Sequence, residues 1–291
     1  MYDFLSADHI MLFDGGMGTM LARAGLASEG CPELLNITHP DAVGAVHRAY
    51  VAAGAEVVET NSLGANRIKL RKYGMEARAA ELAEAAVYVA KNAVGANAHI
   101  AFSVGPTGDF LAPLGTLTYK DMYDAFFETC AVGARAGADM IFIETMMDLR
   151  EARCALLSAR DACNLPVCLS MTFAGAQRTL MGDAPECAAH VACRAGASLV
   201  GANCSGGPSD LLPVLVQMRA YSSLPVIIQP NAGLPHVEDG KTVFPLGAEQ
   251  MRDQMRTVLD AGASAVGGCC GTTPEHIALL HAELAGRPVP A

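Results

Sequence analysis

Ala261-Gly262-Ala263-Ser264-Ala265-Val266-Gly267-Gly268-Cys269-Cys270-Gly271-Thr272-Thr273-Pro274 holds a helix end, a short apolar strand and a glycine-framed pair of cysteines. Neighbouring side chains on a regular strand point to opposite faces. Cys269 and Cys270 therefore converge on one point only if the backbone leaves β geometry, which the flanking glycines allow. A vicinal disulfide is the alternative, but Cα atoms one peptide apart lie about 3.8 Å from each other, short of the usual disulfide span. Two thiolates aimed at one point are part of a zinc site, and the other ligands must come from elsewhere in the chain.

The Ala-Gly-Ala that opens this stretch recurs at 53–55, 136–138 and 195–197. Each copy ends a helical pattern just before an even-numbered strand, and its glycine is suited to a helix C-cap. Between the copies, apolar runs read as strands at 10–13, 56–61, 99–105, 140–145, 166–173, 199–205, 225–231 and 265–270. Helical patterns fall at 41–53, from about 64 with the longest stretch at 75–94, then at 119–136, 148–162, 184–194, 209–220, 247–260 and 275–284. The strands are apolar without alternation, as strands covered on both faces should be. Eight such β/α units in 291 residues predict an α/β fold, a (β/α)8 TIM barrel. An open doubly wound sheet is the runner-up, but the glycine turn after the first strand lacks a full G-x-G-x-x-G pattern. The barrel is expected over 1–285, with 286–291 as a tail or the start of a linker.

Composition supports a buried core and narrows the function classes. Apolar residues make up 52% and charged residues 17%, while aromatics are 5% and Trp is absent, so packing relies on aliphatic side chains and Met. A formal charge of -10, with no basic cluster, argues against a nucleic-acid partner. The first residues, Met1-Tyr2-Asp3-Phe4-Leu5, lack the basic and long apolar regions of a secretion signal, and the uncharged stretches are broken by Pro, Asn and Gly. Ten cysteines in such a chain point to a reducing, cytoplasmic setting with no membrane span. Cys130, Cys154, Cys163, Cys168, Cys187 and Cys193 are read as small packing side chains.

In a barrel of this kind the working residues sit at the C-terminal ends of the strands. Those ends carry Asp14, Thr60-Asn61, Glu144, Thr172, Asn203-Cys204, Asn231 and Cys269-Cys270. The sixth and eighth strands are one strand apart, so Cys204 is placed to join the cysteine pair. Three thiolates fill three corners of a tetrahedron and leave one open, whereas a closed structural site needs a fourth protein ligand. Asp14 is read either as a helix cap or as a functional carboxylate. Glu144 follows Met140-Ile141-Phe142-Ile143, where an uncompensated carboxylate is costly. Two carboxylates beside a metal suit an ammonium group, and the Gly15-Gly16-Met17-Gly18 turn offers backbone N–H groups for a carboxylate. Together they outline a pocket for an amino acid whose sulfur reaches zinc.

Asp14-Gly15-Gly16-Met17-Gly18-Thr19, Glu59-Thr60-Asn61, Gly105-Pro106-Thr107-Gly108, Glu144-Thr145, Gly201-Ala202-Asn203-Cys204-Ser205, Pro230-Asn231-Ala232-Gly233 and Gly267-Gly268-Cys269-Cys270-Gly271-Thr272-Thr273-Pro274 follow the order seen in the homocysteine S-methyltransferase family. The chain resembles that family from about residue 10 to 284. Thr60 to Gly74 looks most like the N-terminal homocysteine module of cobalamin-dependent methionine synthases, with betaine–homocysteine methyltransferases a more distant likeness. The resemblance implies Zn2+ held by Cys204, Cys269 and Cys270, and Asp14 and Glu144 near the homocysteine amino group. It further implies transfer of a methyl group to homocysteine to give methionine, with methylcobalamin or a corrinoid protein as donor. A small onium donor such as betaine or S-methylmethionine, and a non-catalytic zinc-stabilised barrel, are the alternatives. Asn231, ending the seventh strand, is a candidate for the fourth ligand position or the pocket wall, with packing or loop bonding as the other readings.

Overall fold

A computed structural model of the protein describes residues 9–26, 30–238 and 241–287. The N-terminal residues 1–8 and the last part of the expected tail, 288–291, lie outside the described residues. Eight parallel strands form one sheet in the order β1 (Met11–Leu12), β10 (Ala265–Val266), β7 (Val226–Gln229), β6 (Leu199–Asn203), β5 (Val167–Met171), β4 (Met140–Met146), β3 (His99–Val104) and β2 (Val57–Glu59). A bridge between Phe13 and Val57 brings the two ends of the sheet together. Asp14 N donates to Val57 O at 3.0 Å and Glu56 N to Leu12 O at 2.8 Å across that seam. The sheet is thus a TIM barrel.

Helices occupy the intervals between strands. They are α1 (Met17–Arg23), α2 (Leu35–Thr38), α3 (Pro40–Ala52), α4 (Arg67–Leu70), α5 (Ala79–Val94), α6 (Tyr119–Ala136), α7 (Leu149–Ala162), α8 (Pro185–Arg194), α9 (Pro208–Tyr221), α10 (Ala248–Asp260) and α11 (Pro274–Leu284). Several boundaries differ from the sequence expectation by one residue, and capping chemistry explains them. α3, α9 and α11 begin on a proline, whose fixed φ and missing N–H suit the first helical position. Asp148 stands outside α7 as its N-cap, accepting from Arg150 N at 2.8 Å. The four Ala-Gly-Ala glycines, Gly54, Gly137, Gly196 and Gly262, all have positive φ, from 79° to 103°, and turn the chain from helix to strand.

Inside the barrel the strands contribute one apolar plug of Met11, Phe13, Val57, Ala101, Met140, Phe142, Cys168, Leu199, Ile227 and Ala265. The rings of Phe13 and Phe142 lie 5.5 Å apart at its centre. The outward residues of the same strands, such as Leu12, Ile100, Ile141 and Ile143, pack with the helices in a second and larger core. Two residues further along each strand the inward side chain changes character. Glu59, Ser103, Glu144, Ser170 and Gln229 follow Val57, Ala101, Phe142, Cys168 and Ile227 by the period of two. This change from apolar to polar marks the floor of the functional end.

Two findings depart from the sequence expectation. A two-stranded hairpin, β8 (His236–Glu238) paired with β9 (Lys241–Val243), lies between β7 and α10. Asp239-Gly240 between two short strands is a hairpin signal, but three-residue strands, of which β8 is exposed throughout, carry too little burial pattern to reinforce it. Cys187 and Cys193 are exposed on α8, so they are not packing side chains. Cys130, Cys154 and Cys168 are buried as expected. No helix among the described residues is long and apolar enough to cross a membrane.

His47, on the inner face of α3, is completely buried, and neither ring nitrogen has a partner among the described residues. Burial, reinforced by the Arg48 charge, lowers its pKa to about 4. Between about pH 6.5 and 4 the unfolded chain takes up a proton that the folded chain refuses, so stability falls as the pH drops through that window. The full effect of this one group is about 3 kcal/mol. We expect His47→Leu to remove this acid loss, so that urea unfolding of the metal-free proteins shows the variant gaining on the wild type by about 1–2 kcal/mol between pH 7 and 5. Parallel pH profiles of the two proteins would refute this account.

Candidate functional site

Cys204 follows directly on β6 and has φ of 65°, a left-handed conformation that costs a non-glycine residue about 1–3 kcal/mol. Its amide donates to Gln229 O at 3.2 Å. β10 ends at Val266, and the chain leaves β geometry at Gly267 and Gly268, as the adjacent cysteines require. Gly268 N donates to Asp14 O at 2.8 Å, Cys269 N to Pro230 O at 2.8 Å, and Ala232 N to Cys270 O at 2.9 Å. Neighbouring strands thus fix the backbone of the pair. The Sγ atoms of Cys204 and Cys270 are 3.6 Å apart, and the three sulfurs all lie within 4.8 Å of one another. Thiolates around a tetrahedral ion with bonds of about 2.3 Å sit about 3.8 Å apart. All three cysteines are free thiols. Hydrogen bonds from Cys204 and Cys269 hold Cys270 down at about 3, while contacts with Cys204 and Cys270 push Cys269 well up. A cluster that favours one thiolate and shares the remaining protons is suited to a divalent cation that displaces them.

Asn231 stands beside the cluster. Its Nδ2 donates to Cys204 O at 2.6 Å, and its buried Oδ1 has no partner among the described residues. An unsatisfied buried oxygen on a residue bonded to Cys204 is a candidate fourth donor for a cation.

Three carboxyl groups share the same end of the barrel. Asp14 does not cap α1, whose N-cap is Gly16 without a side-chain bond. Its Oδ2 accepts from Glu59 N at 3.1 Å, and its Oδ1 is buried without a partner. Glu144 lies at a register shift between β4 and β5, a bulge that re-aims the strand end. Its oxygens accept from Ser103 Oγ at 2.5 Å, Asn203 Nδ2 at 3.1 Å and Thr145 Oγ1 at 3.2 Å. Glu59 accepts from Gln229 Nε2 at 2.5 Å. Burial raises the pKa of all three, and mutual repulsion adds to the rise at Asp14 and Glu59. No lysine or arginine pairs with any of them among the described residues. Such an arrangement suits a cationic group.

Sequence reasoning identified Asp14, Glu144 and the cysteines, and these come together at one end of the barrel. It passed over Glu59, although a charge at the inward phase of an apolar strand is the signal that pointed to Glu144. Above these groups opens a cavity of about 1170 Å3, with Glu59, Glu144, Cys204, Cys269 and Cys270 in its lower wall and Arg23, Glu33, Leu63 and Phe244 further out. Gly15 and Gly16 also line it. Gly16 N–H is already committed to Thr272 Oγ1 at 3.1 Å, so the available amides of the turn are those of the first turn of α1.

The glycines also bring two chain segments close together. A Cβ on Gly268 would lie 2.7 Å from Thr272 Cβ, and Thr272 Oγ1 cannot yield without losing its bonds to Cys269 O and Gly16 N. Gly268→Ala should therefore lower stability by about 1–3 kcal/mol and weaken metal retention. Gly175→Ala, which meets nothing within 4 Å, serves as the neutral control. Thermal melts and metal content of the two variants check this, and an unchanged Gly268→Ala would refute the close-packing account.

The fold has counterparts among known proteins. Over 97% of its length the chain superposes on the metallated form of the homocysteine methyltransferase MmuM from Escherichia coli, covering 99% of that chain with a TM-score of 0.82 at 24% identity. At that identity the likeness speaks for the fold. Methionine synthases of Mycobacterium leprae (strain TN) and Mycobacterium tuberculosis (strain ATCC 25618 / H37Rv) are 32% and 33% identical over 96% and 97% of this chain. The chain spans about a quarter of their length, 24% and 25% respectively. Residues 11–284 match the family described as homocysteine S-methyltransferase, from the first barrel strand to the last helix. By that match and these relatives, the chain belongs to the homocysteine S-methyltransferase family.

Proposed function

We propose that this chain is a zinc-dependent homocysteine S-methyltransferase that forms methionine with a methylcorrinoid as donor. The observation that carries the reading is the meeting of three thiols with Glu59 and Glu144 in the wall of one open cavity, with the buried Asp14 beside them and no lysine or arginine paired to these carboxyl groups among the described residues. One set suits a soft divalent metal and the other an ammonium, and homocysteine requires both. Cys204, Cys269 and Cys270 would hold Zn2+, with the unpartnered Oδ1 of Asn231 as an exchangeable fourth donor. Zinc would supply a coordinated homocysteine thiol deprotonated near neutral pH with a lone pair still available for attack.

The remaining work falls to the chain's own residues. Asp14 and Glu144 bind the amino group, and Glu59 adds charge beneath it while Gln229 holds Glu59 in place. The amides of the first turn of α1, which follows Gly15 and Gly16, take the carboxylate. The sulfur then forms a bond to the methyl carbon, while the bond from that carbon to the donor breaks with its electron pair staying on the donor. The thioether product is neutral, a weaker ligand than a thiolate, and leaves. No proton transfer is needed in the transfer itself.

The cavity is several times larger than an amino acid and leaves room for the face of a bulky donor. An onium donor would call for several aromatic faces. Phe244 is the one aromatic residue in the lining, which favours a corrinoid carried by a separate protein or module. The ten free cysteines suit a cytoplasmic setting. We take 1–285 as the barrel unit, although Arg287, in the expected tail, still pairs with Asp260 and Glu283 at 2.7 Å.

Zinc-loaded protein given L-homocysteine and methylcobalamin should consume methylcobalamin and release methionine. Cys204→Ser should lose zinc and turnover together. Glu144→Gln should keep zinc and raise the KM for homocysteine by about tenfold or more, the scale of one hydrogen bond to a charged group. Retained turnover in Cys204→Ser would sink the zinc assignment. Zinc binding without methylcobalamin consumption would move the donor to a carrier-bound corrinoid or an onium compound.

A further inference from the structure

We infer that Asn203 is a positioning residue that sets the distance between the amino-group site and the metal site, and so selects homocysteine over its one-carbon-shorter homologue, cysteine. This rests on the homocysteine reading above. Asn203 is 1% exposed at the end of β6. Its Oδ1 accepts from Thr145 N at 3.0 Å and from Ser170 Oγ at 2.7 Å. A backbone N–H can only donate, so this contact fixes which end of the amide is oxygen. Nδ2 must then face the other way, where it donates to Glu144 Oε2 at 3.1 Å and Thr145 Oγ1 at 2.8 Å and lies 3.9 Å from Cys269 Sγ.

One side chain therefore touches the carboxylate of the amino-group site and a sulfur of the metal site. It also joins two strained positions. Among the described residues only Thr145, Gln177 and Cys204 are non-glycine residues with positive φ, and Asn203 bonds to the first and precedes the third. Strained backbone persists only where its surroundings over-determine it. The bonds to Thr145 N and Oγ1 hold the bulge that aims Glu144, and the chain passes directly into Cys204. Homocysteine and cysteine offer identical ammonium and thiol groups, so a site separates them by the spacing at which it holds those two ends. Asn203 spans that spacing. Freed from it, Glu144 can follow a shorter substrate.

The test uses the protein with Co2+ in the metal site, where the three cysteine thiolates give charge-transfer bands and a bound substrate thiolate adds a further one. Wild type, Asn203→Ala and Ser170→Ala are titrated with L-homocysteine and with L-cysteine. Asn203→Ala should retain Co2+ and bind homocysteine about 10- to 100-fold more weakly, the loss of one hydrogen bond to a charged group. Its preference for homocysteine over cysteine should fall by about tenfold, since the loss belongs to the longer substrate. Ser170→Ala, which removes one of the two donors that hold the amide, should shift the preference in the same direction by less. Equal loss for both thiols, or an unchanged ratio in a folded, cobalt-loaded variant, overturns the inference. Should Asn203→Ala fail to fold or to hold cobalt, Ser170→Ala decides, and an unaltered preference there overturns it. A wild-type protein that binds cobalt but gives no further band with homocysteine overturns the homocysteine reading itself, and this inference with it.

Discussion

Uncompensated acidity at one end of the barrel constrains everything around it. Asp14, Glu59 and Glu144 converge with three cysteine thiols, and no lysine or arginine among the described residues pairs with any of the carboxyl groups. Burial disfavours their charged forms, so each shifts toward the protonated state, and one buried oxygen of Asp14 goes without a partner. Such an arrangement lowers the stability of the free protein and raises its affinity for cations. In the proposed function the metal and the ammonium would supply what the chain leaves out. A lysine in this position would stabilise the fold and close the site.

The barrel is what makes the convergence possible. Parallel strands place all their C-terminal ends on one face, and the register of β5, β6 and β7 aligns Ser170 with Gly201 and Asn203 with Gln229. Below that level the inward residues form the apolar plug around Phe13 and Phe142, which gives the polar layer a rigid floor. Above it the backbone departs from regular geometry at the places where chemistry is required. Thr145 and Cys204 take left-handed conformations, and Gly267 and Gly268 let the cysteine pair turn inward. The left-handed Thr145 and Cys204 lie at the rim and the plug stays regular, so the strain does not propagate into the core.

The sequence carried the barrel because its signals are redundant. Four Ala-Gly-Ala breaks, eight apolar runs without alternation and the helices between them agree with one another, and each glycine break adopts the conformation that its position requires. The hairpin at 236–243 lacked that redundancy, since its strands are short and only Asp239-Gly240 marks it. In the site, the cysteines and Glu144 stood out because their residue types are unusual where they occur. Glu59 has the same inward phase as Glu144 but follows only two apolar strand residues, so its burial was less evident. Asn203, Ser103, Ser170 and Gln229 could not be recognised in this way. Neutral polar residues end strands for many reasons, and only cross-strand register shows that these four share one network. Cys187 and Cys193 show the converse limit, because a cysteine on an amphipathic helix does not declare which face it occupies.

The polar network also explains why the layer beneath the cavity is neutral wherever it is not carboxylate. Ser103, Ser170, Asn203 and Gln229 each form a hydrogen bond with a carboxyl group or with a residue that does, and none brings a charge. A positive side chain here would hold Glu59 or Glu144 more tightly, yet it would neutralise the field that a substrate ammonium is meant to meet. Neutral donors orient a carboxylate while leaving most of its charge for the ligand. The amides of Asn203 and Gln229 are suited to this role because each can donate to a carboxylate while its oxygen faces elsewhere. Asn203 Oδ1 is anchored by Thr145 N and Ser170, whereas Gln229 Oε1 is buried without a partner. The two carboxylates are therefore held with unequal firmness. Glu144 belongs to a network tied to the backbone, and Glu59 is held by Gln229, whose other end is not anchored, and by a hydrogen bond shared with Glu144 itself. A substrate amino group that must meet the metal-bound sulfur at a fixed distance needs one rigid contact, and the rigid partner is Glu144. Glu59, bonded to Gln229 and to Glu144, adds its charge beneath that contact.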